Sequence, residues 1–90
     1  MEIFFQSIYD FIYHIMICLM IHQELIEKVR LLPYSPGVYM MKDAGGKIIY
    51  VGKAKILRNR VRQYFQSSAR HSAKTAIMVS KVCDLDYIIC

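Results

Sequence analysis

A chain of 90 residues with 56% hydrophobic and 21% charged side chains, four Gly and two Pro can build one small core, which excludes a multi-domain enzyme and a disordered segment. The formal charge of +5 is uneven: residues 1–27 hold four acids and no Lys or Arg, whereas residues 28–90 hold twelve bases against Asp43, Asp84 and Asp86, a local balance of +9. That asymmetry points to a polyanionic partner, nucleic acid ahead of an acidic membrane surface. Cys18, Cys83 and Cys90 are odd in number and lie outside any C-x-x-C, which argues against a disulfide framework or zinc site and fits a reducing cytoplasm.

Residues 3–21, IFFQSIYDFIYHIMICLMI, raise a membrane question. A signal peptide would need a basic start and a small-residue cleavage site, and neither is present. As a spanning helix the segment is marginal: ten Ile, Leu and Phe contribute about −0.3 to −0.6 kcal/mol each against roughly +2.5 to +3.5 for Asp10 near the centre. The third reading, weighted above membrane attachment, is that residues 1–24 are an apolar extension preceding a soluble domain at 25–90. Met20 is followed by IHQELIEKVRLL, a sensible start for an amphipathic helix.

In that helix Ile21, Leu25, Val29 and Leu32 recur at helical spacing until Pro33 stops the run. GVYMMKD and KIIYVGK then read as an antiparallel hairpin joined through Ala44, Gly45 and Gly46. ILRNRVRQYF has helical spacing with Leu57, Val61 and Phe65 on one face, QSSARHS breaks it, TAIMVSKV forms a further helix through Ile77 and Val82 with Met78 beside them, and LDYIIC closes as a strand. The fold class is α+β, a small antiparallel sheet flanked by helices, with an extra apolar helix at the N-terminus.

An even-numbered hairpin loop centred between Ala44 and Gly45 puts Tyr39 opposite Tyr50 and Lys42 opposite Lys47. The like-charged pair is the weak point of that register. The two phenols then share one side of the sheet, with Gly52 next to them leaving room for backbone or a phosphate. Facing tyrosines by themselves more often form a half-buried aromatic pair than a catalytic one. KAKILRNRVR, from Lys53 to Arg62, holds five bases and no acid. On a helix Lys55, Arg58 and Arg62 fall on one flank and suit non-specific attraction to a DNA backbone. Arg60 and Tyr64, four apart, line the other flank, where Arg60 could take a phosphate bidentately.

In order, LPYSPGVYMMKDAGGKIIYVGKAKILRNRVRQYF resembles the GIY-YIG endonuclease domain, in the variant at the N-terminus of the UvrC excinuclease subunit. GVY at Gly37–Tyr39 is similar to the first half of the motif and YVG at Tyr50–Gly52 to the second. The likeness runs on through GKAK.LR.RV..YF and KT..MV...DLDYI, over about residues 25–89. The resemblance implies cleavage of a DNA phosphodiester, 3′ to a lesion in nucleotide excision repair, with Mg²⁺ or Mn²⁺ as cofactor and DNA and UvrB as partners. Carried over by position, the catalytic set is Tyr39, Tyr50, Lys53, Arg60 and Tyr64. One motif tyrosine acts as base with help from the lysine, and the arginine stabilises the phosphorane-like charge. A phenol of ordinary pKa ~10 needs such a cation to serve as a base near neutrality.

Two positions depart from the family. Ile56 stands where Asn is usual, removing a helix N-cap candidate. The metal-binding Glu of the family, on a helix after the third strand, has no counterpart in the matched region; Asp84 and Asp86, expected just before the last strand, do not match it. The chain alone is therefore expected to be inactive as a fragment. The remaining readings are bland: His71 as a solvated loop imidazole, His14 and His22 without a partner at ligand spacing, and Met40, Met41 and Met78 as core filling.

Overall fold

The computed structural model describes residues 2–66 and 71–90, with the side chains of residues 2–6 excepted. The order of elements is α1 (Glu2–Arg30), β1 (Gly37–Lys42), β2 (Ile48–Ala54), α2 (Leu57–Gln66), α3 (Ala73–Ser80) and β3 (Asp84–Ile89). The three strands form one antiparallel sheet in the order β2-β1-β3, the α+β architecture expected. Part of the polar break at 66–72, residues 67–70, lies outside the described residues.

The leading helix is longer than its amphipathic portion. With no Gly or Pro between Glu2 and Arg30, nothing interrupts the backbone, and one helix of 29 residues replaces the short one expected from Ile21. Only its last turns pack: Leu25 and Val29, with Leu32 just beyond, are buried, whereas residues 7–20 are exposed. The expected division at 24/25 thus falls inside α1, where burial begins. Among the described residues no helix is long and apolar enough to cross a membrane.

One face of the sheet carries the core. Tyr39 and Met41 of β1, Leu85 of β3, Leu57 and Val61 of α2, and Val82 after α3 join Leu25, Val29 and Leu32, with Phe65 and Met78 partly buried against them. Alternation along the strands sends Val38, Met40, Val51 and Ile88 to the other face, where Val51 and Ile88 are exposed. There Lys42 pairs with Asp86, and Lys28 of α1 reaches Asp84. Both acids lie within β3, Asp84 directly opposite Lys42, not before the strand as expected. α3 runs two residues earlier than the expected 75–82, because Ser72 caps it by accepting from Thr75 N at 3.2 Å. Ile77 is 58% exposed, so Met78 and Val82 supply this segment's core contacts.

The hairpin register differs from the expected one in a way that preserves the site. Asp43 N donates to Lys47 O at 2.9 Å and Gly46 N to Asp43 O at 3.0 Å, with Gly46 at φ +80°; this is a three-residue loop whose left-handed position needs glycine. Asp43 Oδ1 accepts from Gly45 N and Lys47 N, fixing the turn. An odd loop alone would place Tyr39 and Tyr50 on opposite faces. A bulge opposite Met41/Lys42 moves the register by one more, giving Met41↔Tyr50 and Tyr39↔Gly52, with Lys42 opposite Ile48 instead of Lys47. The two shifts together return both phenols to the core face and remove the like-charged pair.

The start of α2 is capped from outside the helix. Leu57 N donates to Ser35 O at 3.0 Å and Arg58 N to Pro33 O at 3.2 Å, so the loop after α1 satisfies the first-turn N–H groups that Ile56 cannot. The N-cap candidate lost at Ile56 thus leaves neither Leu57 N nor Arg58 N unpaired.

Candidate active site

β1 presents Tyr39 to the core, β2 presents Tyr50 from the neighbouring strand, and α2 crosses above them with Tyr64. The three ring centroids are each 6.0 Å from the other two. Tyr39 and Tyr64 hydroxyls are 3.0 Å apart, and the Tyr64 hydroxyl donates to that of Tyr50 over 3.4 Å. Tyr39 is 1% exposed and Tyr50 37%. The cluster therefore runs from the core to solvent, and Tyr50 is its outer phenol.

Gly52 makes the arrangement possible. A β-carbon there would come within 2.2 Å of the Tyr39 Cζ and hydroxyl, so the space that the sequence leaves for backbone or a phosphate is taken by the phenol itself. Tyr39 can lie flat across β2 only because its cross-strand neighbour has no side chain.

Arg60 is the cation of the cluster. One turn before Tyr64, it sets its guanidinium carbon 5.7 Å from that ring's centroid. Its pKa is held above the usual arginine value, first by hydrogen bonding to the Tyr39 phenol and then by attraction to Tyr64 and Tyr39. The Tyr50 phenol is pushed above 10.0, first by the Tyr64 hydrogen bond, while Arg60 pulls it down more weakly. The Tyr64 phenol is raised chiefly by burial. Both phenols are thus protonated at neutral pH.

Of the other expected site residues, Lys53 stands opposite Val38. Its Cα pairing puts it on the other face of β2 from Tyr50, and the cation over the phenol cluster is Arg60. Lys55 and Arg62 are exposed. Arg58 is half-buried: its Nε donates to Leu32 O at 2.6 Å and its Nη1 to the Tyr34 hydroxyl at 2.9 Å. His71, expected as a solvated loop imidazole, is placed against the site instead. It is no free imidazole: Nε2 lies 2.8 Å from Tyr64 O, and its ring stacks on Tyr64 with centroids 6.1 Å apart. The signal available was only its position just before the Ser72 cap, which brings it back to the end of α2.

Comparison with known proteins gives the family and the fold. The profile of the UvrC-like GIY-YIG domain matches residues 35–90. The UvrABC system protein C of Solibacter usitatus is 58% identical over 66 residues, covering 73% of this chain and 11% of that protein, and that of Desulfitobacterium hafniense is 60% identical over 65 residues, covering 72% and 10%. The chain spans about a tenth of the length of these curated relatives. The crystal structure of the GIY-YIG N-terminal endonuclease domain of UvrC from Thermotoga maritima bound to magnesium, its catalytic divalent cation, superposes with a TM-score of 0.64 at 34% identity, over 74% of this chain and 71% of that one. Tyr-to-Phe point mutants of that domain, also bound to the cation, superpose at 0.63. The chain belongs to the UvrC-like GIY-YIG domain family.

Proposed function

We propose that this chain forms the phenol and arginine face of a UvrC-type endonuclease domain that incises DNA 3′ to a lesion during nucleotide excision repair. The observation that carries the reading is the joining of Tyr39, Tyr50 and Tyr64 by hydroxyl contacts with Arg60 over the cluster, in a chain similar to a solved endonuclease domain. Arg60, an exposed side chain over the Tyr64 ring, receives a phosphate and offsets charge as it grows on the non-bridging oxygens. Tyr50, the solvent-facing phenol, is the group that exchanges a proton with water. Tyr39 is buried and orients Tyr64 and Arg60. Lys53, Lys55 and Arg62 add backbone attraction, with little sequence preference.

A divalent cation is part of the relative's site, and we infer that its ligand comes from outside the residues described here. Among them no three His, Cys, Asp or Glu side chains are grouped to hold a metal ion, and Asp84 and Asp86 are engaged by Lys28 and Lys42. The Tyr64 hydrogen bond outweighs the pull of Arg60 and leaves the Tyr50 phenol above its ordinary pKa, away from what a base at neutral pH requires. We therefore read the described residues as DNA-binding and orienting, with turnover requiring groups from outside them. DNA is the substrate, UvrB a partner in the assembled repair system, and the cytoplasm, which suits three free thiols, the location.

A chimaera in which residues 25–90 replace the matching part of a UvrC relative tests the reading. It should incise a damaged duplex, and Arg60→Ala should abolish most of that incision while the duplex still binds. A folded chimaera that binds but never cuts, beside a parent that does, would leave only a non-catalytic DNA-binding module.

A further inference from the structure

We infer that Arg58 is a positioning residue that holds α2, and through it Arg60 and Tyr64, against the phenol cluster, and is not one of the phosphate contacts. Its side chain bridges the end of α1 and the start of α2: Nε donates to Leu32 O at 2.6 Å and Nη1 to the Tyr34 hydroxyl at 2.9 Å. The guanidinium carbon also stacks 4.2 Å over the Tyr34 ring. A planar fork can satisfy a carbonyl, a hydroxyl and a ring face together, which an ammonium cannot. With one face covered by Tyr34 and Nε and Nη1 committed, the group is held in place by α1 and its loop without any ligand.

The place of this clamp gives it leverage. Pro33 and Ser35, on either side of Tyr34, are the residues whose carbonyls cap Arg58 N and Leu57 N, so the side chain pins the same loop that satisfies the helix start. Arg60 lies two residues further on and Tyr64 six, on a helix of only ten residues. The hydroxyl contacts of 3.0 and 3.4 Å that Tyr64 makes tolerate a shift of only a few tenths of an ångström before they weaken. The consequence for incision rests on the endonuclease reading, whereas the placement of α2 does not.

Two measurements on the 90-residue chain separate a clamp from a phosphate contact: the NMR ring signals of the tyrosines, and the salt dependence of binding to a duplex oligonucleotide. In Arg58→Ala the ring signals of Tyr64 and Tyr50 should move while the slope of log affinity against log salt stays as in the wild type. Arg62→Ala should leave the rings in place and lower that slope by about 0.9. Arg58→Lys keeps the charge but not the fork, and should move the rings by an intermediate amount; it decides the matter should the alanine variant not fold. Tyrosine signals that stay at their wild-type positions in the folded Arg58 variants would overturn the inference. A wild-type chain that binds no DNA would sink the endonuclease reading, and the ring signals would still report on the clamp.

Discussion

Tyr39 lies directly across the sheet from Gly52, and its phenol fills the volume in which any side chain on Gly52 would have to stand. This contact links the two halves of the family motif physically: the glycine of the second half is the seat of the tyrosine of the first. It also explains how a ring as large as Tyr39 is 1% exposed in a domain with so small a core.

Gly52→Ala should therefore act through Tyr39. A β-carbon 2.2 Å from Cζ forces the ring out, at a cost of about 1–3 kcal/mol typical of overpacking, and breaks the contact with the Tyr64 hydroxyl. Urea denaturation should show the loss, and the Tyr39 ring signals should shift. Unchanged stability would mean that the phenol has another place to lie.

Tyr64→Phe removes a hydroxyl that bonds both other phenols but keeps the ring, so the stability loss should be about 1 kcal/mol. Because the Tyr64 hydrogen bond is the first cause of the raised Tyr50 pKa, the Tyr50 phenol should titrate lower in the variant when followed by ultraviolet absorbance. Raised phenols contribute stability that is present below their ordinary value of 10.0 and lost as pH climbs through the folded values. The wild type should consequently lose stability in that alkaline range, and Tyr64→Phe should lose less of it.

The α1–β3 ion pair gives the acid counterpart. Lys28 lowers the Asp84 pKa below its ordinary 3.8, chiefly through their hydrogen bond. A depressed carboxylate contributes stability above the unfolded value that disappears as pH falls through the folded one, so the loss belongs below about pH 4. Both side chains are roughly half exposed, and screening limits the pair to about 1 kcal/mol or less. Asp84→Asn should flatten that acid limb of the stability profile and leave the neutral region nearly unchanged.

Residues 7–20 of α1 expose Phe11, Tyr13, Leu19 and Met20 among other apolar groups and lie ahead of Leu25, the first buried residue among the described side chains of the helix. A chain beginning at Met20 should fold with the same thermal midpoint within a few degrees and aggregate less. An unfolded or insoluble product from that start, beside a well-folded full chain, would show that the exposed helix supports the domain.

The elements were legible because their apolar spacing is regular: Leu57, Val61 and Phe65 marked α2, and Leu25, Val29 and Leu32 the packed end of α1. The pairing of Arg60 with Tyr64 was legible for the same reason, four residues being one helical turn. What the sequence hid were features fixed by backbone geometry. The three-residue loop and the bulge at Ile49 each shift the register by one, and only their combination restores Tyr39 and Tyr50 to one face. The capping of α2 by Pro33 and Ser35 carbonyls carries no side-chain signature, so Ile56 looked like a defect. Lys53 comes from the resemblance alone, and its pairing with Val38 starts it on the other face of β2 from Tyr50. Arg58 reads as one base among five, and only its contacts with Leu32 and Tyr34 set it apart.

Cleavage of a duplex in Mg²⁺ by the 90-residue chain, compared with the same chain joined to the segment that follows the matched region in a UvrC relative, tests most directly whether Tyr50 and Arg60 work only with groups from outside the described residues. The chain alone should give trace cleavage. The joined protein should cut faster by on the order of a thousandfold or more, since completing a metal site is worth several kcal/mol, and it should lose most of that gain in Tyr50→Phe or Arg60→Ala. Equal rates from the two proteins would contradict the account, because the described residues would then hold everything that turnover requires.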